Sequence, residues 1–339
     1  ADSQGNIFFV YNAAVPKRDL DLALDWTAPV DGSDPATEWQ GYHGMDEIPQ
    51  LLNPETGWLQ NCNGTPFLST STGNPDPEDF PPYMVREQDN PRHRQARRIL
   101  TRKDAFTLDE WAREAYSTEA GEAEEHISQI VEQWEKLKTV DQARAEKLSE
   151  AVSFLRNWDR VSTVDSEEMT LYVAWGEERF RLSREGGEDE YLPMSALESA
   201  MTNLQTDWET WRVPWGEINR LQRRHSSGDE SFSDELPSLP IAGAPGFAGA
   251  MFTFYARPSE GQKRRYGTSG NTYVAVIEFG PKVEARTLHT FGASADPASA
   301  HHFDQAPLYA EGDFKPAWLT LSDVQENAAR SYHPGHDQK

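Results

Sequence analysis

The segment Gly57-Trp58-Leu59-Gln60-Asn61-Cys62-Asn63-Gly64-Thr65-Pro66-Phe67 concentrates residues that can do chemistry. If it is extended, the amides of Asn61 and Asn63 lie on the same side, because alternate residues of a strand share a face. A carboxamide NH2 is a neutral donor of fixed geometry, suited to holding an oxyanion. The same amides can equally hold loop backbone in place. Cys62 could be a nucleophile, but no His lies within ten residues of it, so a base would have to come from elsewhere in the fold. Its place between two asparagines predicts that it points into the core, where free cysteine is common.

Asp89-Asn90-Pro91-Arg92-His93-Arg94-Gln95-Ala96-Arg97-Arg98 is the one basic cluster. It reads either as an anion site or as cations paired with local carboxylates at little net stability. Pro91 suits the first turn of a helix. His301-His302 with Asp304 offers metal-ligand types, yet adjacent strand residues point opposite ways and do not easily share one ion. Gly243-Ala244-Pro245-Gly246-Phe247-Ala248-Gly249 lacks the spacing of a dinucleotide fingerprint. The chain also has no Gly-x-Ser-x-Gly, phosphate-binding glycine loop or His-Glu-x-x-His.

The elements that must position these residues fall into three regions. Residues 1–105 are rich in Pro, Gly, Trp and Asp, with turn chemistry at Asp31-Gly32-Ser33-Asp34-Pro35 and Gly73-Asn74-Pro75-Asp76-Pro77. Residues 106–225 read as mainly helical. Thr107-Leu108-Asp109-Glu110 is a capping box. Ile127, Ile130, Val131, Trp134 and Leu137 form one apolar stripe, and after a break near Thr139-Val140-Asp141 a second runs through Leu148, Ala151, Val152 and Leu155. Both stripes read as core. In residues 226–339, a polar surface loop over 226–237 precedes strand candidates at Met251–Tyr255, Thr272–Phe279 and Ala285–Phe291. The second candidate is apolar at successive positions, as in a strand covered on both faces. Strands at both ends with helices between predict one α+β unit whose terminal strands share a sheet.

Composition narrows the function classes. The chain has 339 residues and a formal net charge of −24. That acidic excess argues against a partner that is nucleic acid or an anionic membrane surface. It also admits a protein adapted to salt, whose stability would then depend on salt. The single cysteine excludes an internal disulfide and a multi-cysteine zinc site. Nothing approaches the apolar length of a membrane span, and the opening Ala-Asp-Ser-Gln-Gly-Asn is not a signal peptide. Strand-like residues begin at once, at Gly5–Tyr11, which suggests a chain cut from something longer.

Several further segments follow one another in order across nearly the whole chain. They are Gly5-Asn6-Ile7 leading to Pro16-Lys17-Arg18-Asp19; Glu38-Trp39-Gln40-Gly41; Leu59-Gln60-Asn61-Cys62-Asn63-Gly64-Thr65-Pro66; Pro214-Trp215-Gly216-Glu217-Ile218-Asn219-Arg220-Leu221; and Gly292-Ala293-Ser294-Ala295-Asp296-Pro297 through Ser299-Ala300-His301-His302-Phe303-Asp304-Gln305. Together they resemble the penicillin acylase family of N-terminal-nucleophile hydrolases. The subgroup is similar to acylases that remove fatty or aromatic acyl chains from homoserine lactones, lipopeptides and β-lactams. Ala293 and Ala295 stand where the family's late motif has Gln and Gly.

The resemblance implies an αββα sandwich, here a fragment with an additional helical region. It implies hydrolysis of an N-acyl amide by a serine at the start of the family's β chain, whose own α-amine is the base. A backbone N–H and an Asn side chain hold the oxyanion, and that Asn aligns with Asn63. A later Arg supports it; spacing and the following helix point to Arg92, with Arg94 or Arg86 as rivals. This chain starts at Ala1, which has no nucleophilic side chain, so it resembles the later part of a β chain. The nucleophile would come from the remaining acylase segments, namely the α chain and the start of the β chain. The alternative is a non-catalytic acylase-like binding module. No cofactor is implied for the chemistry. The resemblance also implies a structural calcium, with Asp79 as its matching carboxylate, and a periplasmic or secreted location.

Overall fold

The computed structural model describes residues 1–186, 189–224, 232–331 and 333. Thr107 opens the helical part as its sequence predicts. Its hydroxyl accepts from Glu110 N, and the Glu110 carboxylate accepts from Thr107 N. Helix α1 (Pro91–Leu100) precedes this point and α2 (Leu108–Ala115) follows it. Only Asp141 separates α3 (Ala123–Val140) from α4 (Gln142–Asn157), and its side chain caps α4 by accepting from Arg144 N. Ile127, Ile130 and Leu137 of the first stripe and all four residues of the second are buried in one cluster. Helices α5 (Glu167–Glu185) and α6 (Leu192–Trp208) complete the bundle with Tyr172, Trp175, Met194 and Leu197, each fully buried.

The chain then turns to β structure. Helix α7 (Trp215–Ile218) runs directly into β3 (Asn219–Leu221). With β4 (Leu239–Pro240), β5 (Phe254–Pro258) and β6 (Arg265–Gly270) it makes a four-stranded sheet in the order β4-β3-β6-β5. Only the β3–β6 pair is parallel. Strands β7 (Tyr273–Glu278), β8 (Glu284–His289) and β9 (Lys315–Pro316) form a separate antiparallel sheet. Helices α8 (Ala306–Glu311) and α9 (Leu321–Asn327) are the last helices among the described residues. A second apolar cluster joins these elements through Phe252, Phe254, Leu288 and Tyr309.

Three expectations are corrected here. The first and last strands do not share a sheet. Among the described residues strand β1 (Phe8–Val10) pairs only with β2 (Gln50–Leu52), and Asn6 and Asn53 clamp the two segments together: Asn53 Oδ1 accepts from Ile7 N at 2.8 Å, and Asn53 Nδ2 donates to Asn6 Oδ1 at 2.9 Å. Strand β7 is not covered on both faces. It is the edge of its sheet, with Val276 buried while Tyr273 is 56 % and Ile277 44 % exposed. In the loop expected to be polar, residues 226–231 lie outside the described residues. The flanking Phe232 is buried and stacked on Tyr266, 5.1 Å between ring centroids. The fold class is α+β, and no helix among the described residues is long and apolar enough to cross a membrane.

Candidate active site

The loop carrying Asn63 is folded by its own polar side chains. Gln60 N donates to Ser69 O at 2.9 Å, and Gln60 Nε2 donates to Leu68 O. Thr65 Oγ1 caps a short 3-10 turn at Pro66–Leu68. Between these anchors the segment is not extended. Asn63 has φ 59°, in the left-handed region, and its N–H donates to Asn61 Oδ1 at 3.0 Å. The expectation of two amides on one strand face therefore fails. Asn tolerates left-handed backbone better than most residues, and the side chain of Asn61 supplies the turn. Asn61 is thus spent on backbone, whereas the Asn63 side chain projects from the turn and is exposed. Cys62 is buried, as its position predicts, and burial pushes its thiol pKa up, away from thiolate chemistry.

The first turn of α1 holds this loop at three successive places. Asn90, the N-cap, accepts from His93 N through Oδ1 and donates through Nδ2 to Cys62 O at 3.0 Å. Arg92 Nη2 donates to Asn63 Oδ1 at 2.9 Å. The ring of His93, fully buried, lies under Gly64, where a Cβ would meet it at 2.7 Å. His93 Nδ1 is 2.8 Å from Asp89 Oδ1, and Arg97 donates to both oxygens of the same carboxylate. Burial pushes Asp89 up, but the hydrogen bonds from Arg97 and His93 outweigh it and hold its pKa at about 2. Burial also depresses the pKa of His93, partly offset by Asp89.

A guanidinium only donates hydrogen bonds. The atom of Asn63 that faces Arg92 is therefore the carbonyl oxygen, and the amide NH2 points the other way. That NH2 has no partner among the described residues. The rival arginines are engaged elsewhere: Arg94 with the buried Glu122, and Arg86 with Trp26 O at 3.2 Å. The paired-cation reading of the basic cluster thus holds for Arg94, Arg97 and Arg98, while Arg92 alone turns to Asn63.

Comparison with known proteins gives this arrangement its context. The penicillin amidase family model matches residues 1–326. The chain belongs to that family. Among curated proteins similar to this chain, an acyl-homoserine lactone acylase, PvdQ, of Pseudomonas putida is 33 % identical over 98 residues, 29 % of this chain and 12 % of that protein. A second, QuiP, from the same organism is 25 % identical over 142 residues, 40 % of this chain and 16 % of that protein. A thermostable penicillin G acylase from Alcaligenes faecalis superposes with a TM-score of 0.61 at 20 % identity, covering 98 % of this chain and 66 % of that one. The fold is therefore that of a penicillin acylase. The chain spans less than two thirds of these relatives' lengths.

The other penicillin amidase segments serve to tie the chain to itself. Lys17 N donates to Gly41 O, and Arg18 lies 5.2 Å from the Trp26 ring and 5.4 Å from that of Trp39. Asn219, fully buried, donates to Ile241 O and Gly243 O, and Trp215 Nε1 also reaches Gly243 O. At Gly292 a Cβ would strike His301 O, so the late motif folds onto its own glycine. His301 pairs with Asp304 at 2.7 Å on the surface. Asp79 closes an exposed 3-10 turn at Pro77–Asp79, and no group of three or more potential metal ligands converges among the described residues.

Sequence reasoning missed Asp89, Asn90, His93 and Gly64 as supports of the Asn63 turn. The available signal was the Asn-Gly pair at 63–64, a turn dipeptide, together with Asn immediately before Pro91 as a helix cap.

Proposed function

We propose that this chain is part of an enzyme that hydrolyses N-acyl amides to a carboxylic acid and an amine, with Asn63 Nδ2 as an oxyanion donor and Arg92 as the residue that orients it. The observation carrying this reading is the Arg92–Asn63 hydrogen bond at 2.9 Å, which leaves the NH2 of the exposed Asn63 with no partner among the described residues. Membership of the penicillin amidase family supports the same chemistry. A serine at the start of another segment attacks the carbonyl carbon, and its proton passes to its own α-amine. The tetrahedral oxyanion rests on Asn63 until the C–N bond breaks and the amine leaves with that proton. Water then releases the acid from the acyl-serine by the same route. The names of the relatives favour acyl-homoserine lactones and penicillins as substrate classes.

The serine and the rest of the active site come, in this reading, from the α chain and the first part of the β chain. Large apolar side chains left exposed on residues 8–52, among them Phe8, Trp39, Tyr42 and Leu52, fit a surface covered by those segments. The family resemblance supports a periplasmic or secreted location. The test uses the complete, processed protein and a panel of N-acyl homoserine lactones, penicillins and N-acyl peptides, read by release of primary amine. Hydrolysis is expected, and Asn63→Ala should lower kcat about 10²–10³-fold with the fold intact. Near-normal turnover by that variant removes the mechanism. Binding without hydrolysis of any substrate favours the non-catalytic module.

A further inference from the structure

Behind the first turn of α1 lies a cavity of about 680 Å³ that the proposed chemistry does not use. Its volume is that of a small-molecule site, typically about 300–1,000 Å³. Pro91 lines one end, and the apolar walls are Val173, Trp175, Phe180, Phe247 and Phe254. The charged lining consists of four arginines against two glutamates. Arg94 is matched by Glu122, and Arg265 by Glu177 at 2.7 Å. Arg179 and Arg257 have no carboxylate partner among the described residues. The Arg179 guanidinium instead lies 5.4 Å from the Trp175 ring centroid. His126, beside Tyr172 OH at 2.8 Å, adds a polar edge to the lining. In a chain of net charge −24, an aromatic pocket with surplus positive charge is a local reversal of the overall field.

We propose that this cavity binds an apolar monocarboxylate, the tail among the aromatic side chains and the carboxylate answered by Arg179 and Arg257. Two charges set in such walls suit a single carboxylate on a long apolar body better than a compact, strongly hydrated anion. The choice of a carboxylate rests on the proposed hydrolysis, whose acid product is of this class.

The test uses the complete processed protein, and neither ligand carries an amide that the proposed reaction could cleave. Sodium dodecanoate and the uncharged dodecan-1-ol are titrated below their aggregation limits, followed by calorimetry and by tryptophan fluorescence, since Trp175 and Trp215 line the cavity. Dodecanoate should bind at least about tenfold tighter than the alcohol, the scale of one charge-assisted contact. Arg179→Gln with Arg257→Gln should erase most of that difference and leave alcohol binding in place. Ser183→Trp, an exposed helix position on the lining, should weaken both ligands. Equal affinity for acid and alcohol, an unaffected double variant, or displacement by inorganic phosphate at dodecanoate concentrations would overturn the proposal. So would absence of binding, which means that another segment fills the cavity. If the wild-type protein hydrolyses no N-acyl substrate while dodecanoate binding stands, the functional reading fails and the cavity assignment survives.

Discussion

In the proposed mechanism Asn63 serves only if one end of its amide is committed, and the hydrogen bond from Arg92 commits it. Removing the guanidinium lets the amide rotate, so Arg92→Ala should lower kcat roughly tenfold with little change in KM, less than Asn63→Ala does. Arg92→Lys should recover part of the loss, because an ammonium still donates to Oδ1 but without the fixed fork. Steady-state kinetics of the two variants on one substrate check the order; a loss confined to KM would make Arg92 a binding residue instead. Gly64 answers a different constraint. A methyl there meets the His93 ring at 2.7 Å, so Gly64→Ala should destabilise by about 1–3 kcal/mol, read as a fall in Tm. At this scale the sequence was legible in type and not in geometry. The family-like spacing singled out Asn63 and Arg92. The period-two argument placed Asn61 beside Asn63 as an equal, whereas a positive φ at Asn63 separates their roles.

Helix α1 is the element that holds the Asn63 loop in place. Asn90→Ala removes both the N-cap of α1 and the donor to Cys62 O. It should cost about 1–2 kcal/mol in thermal melts and lower kcat by loosening the Asn63 turn. Acid should act on the same turn. Burial depresses the pKa of His93 below 6.5, so below that pH the unfolded chain takes up a proton that the folded chain resists. The stabilisation from neutral His93 is complete above pH 6.5 and is lost as pH falls through its folded pKa. Asp89, at about 2, stays ionised throughout that window. Melts at pH 7.5 and 5.0 should show the wild type losing more stability than His93→Gln, a difference in which the other titrating groups cancel. Helices of this kind were readable because caps and apolar periodicity are local: Thr107 with Glu110, and the stripes of α3 and α4, appear where the sequence puts them. Strand β6 was not, since Arg-Tyr-Gly-Thr-Ser-Gly has no strand pattern. Its glycines are there because β5 approaches closely: a Cβ on Gly267 would meet the Phe254 ring at 2.2 Å.

Over the whole molecule, what could not be read was how distant segments meet. The cavity draws on α1, α3, α5 and β5, and no spacing rule joins Arg94 to Arg257. Charge is the property of the entire chain that composition does give. With 56 acidic against 32 basic residues, many exposed carboxylates have no cation to match, and their mutual repulsion is largest where screening is weakest. The screening length falls from about 30 Å at 0.01 M salt to about 3 Å at 1 M. Salt also weakens the attractive pairs, but exposed ones such as Lys136–Glu132 contribute little, and the Arg94–Glu122 pair is shielded by the burial of Glu122. Repulsion should therefore dominate the balance. The Tm of the protein should rise from 0.01 M to 1 M sodium chloride, most steeply below about 0.15 M, where screening changes fastest in absolute length. Potassium chloride should give the same curve, since the effect is one of ionic strength. A Tm that falls with salt would show that the ion-pair network, rather than the acidic excess, sets the electrostatic part of stability.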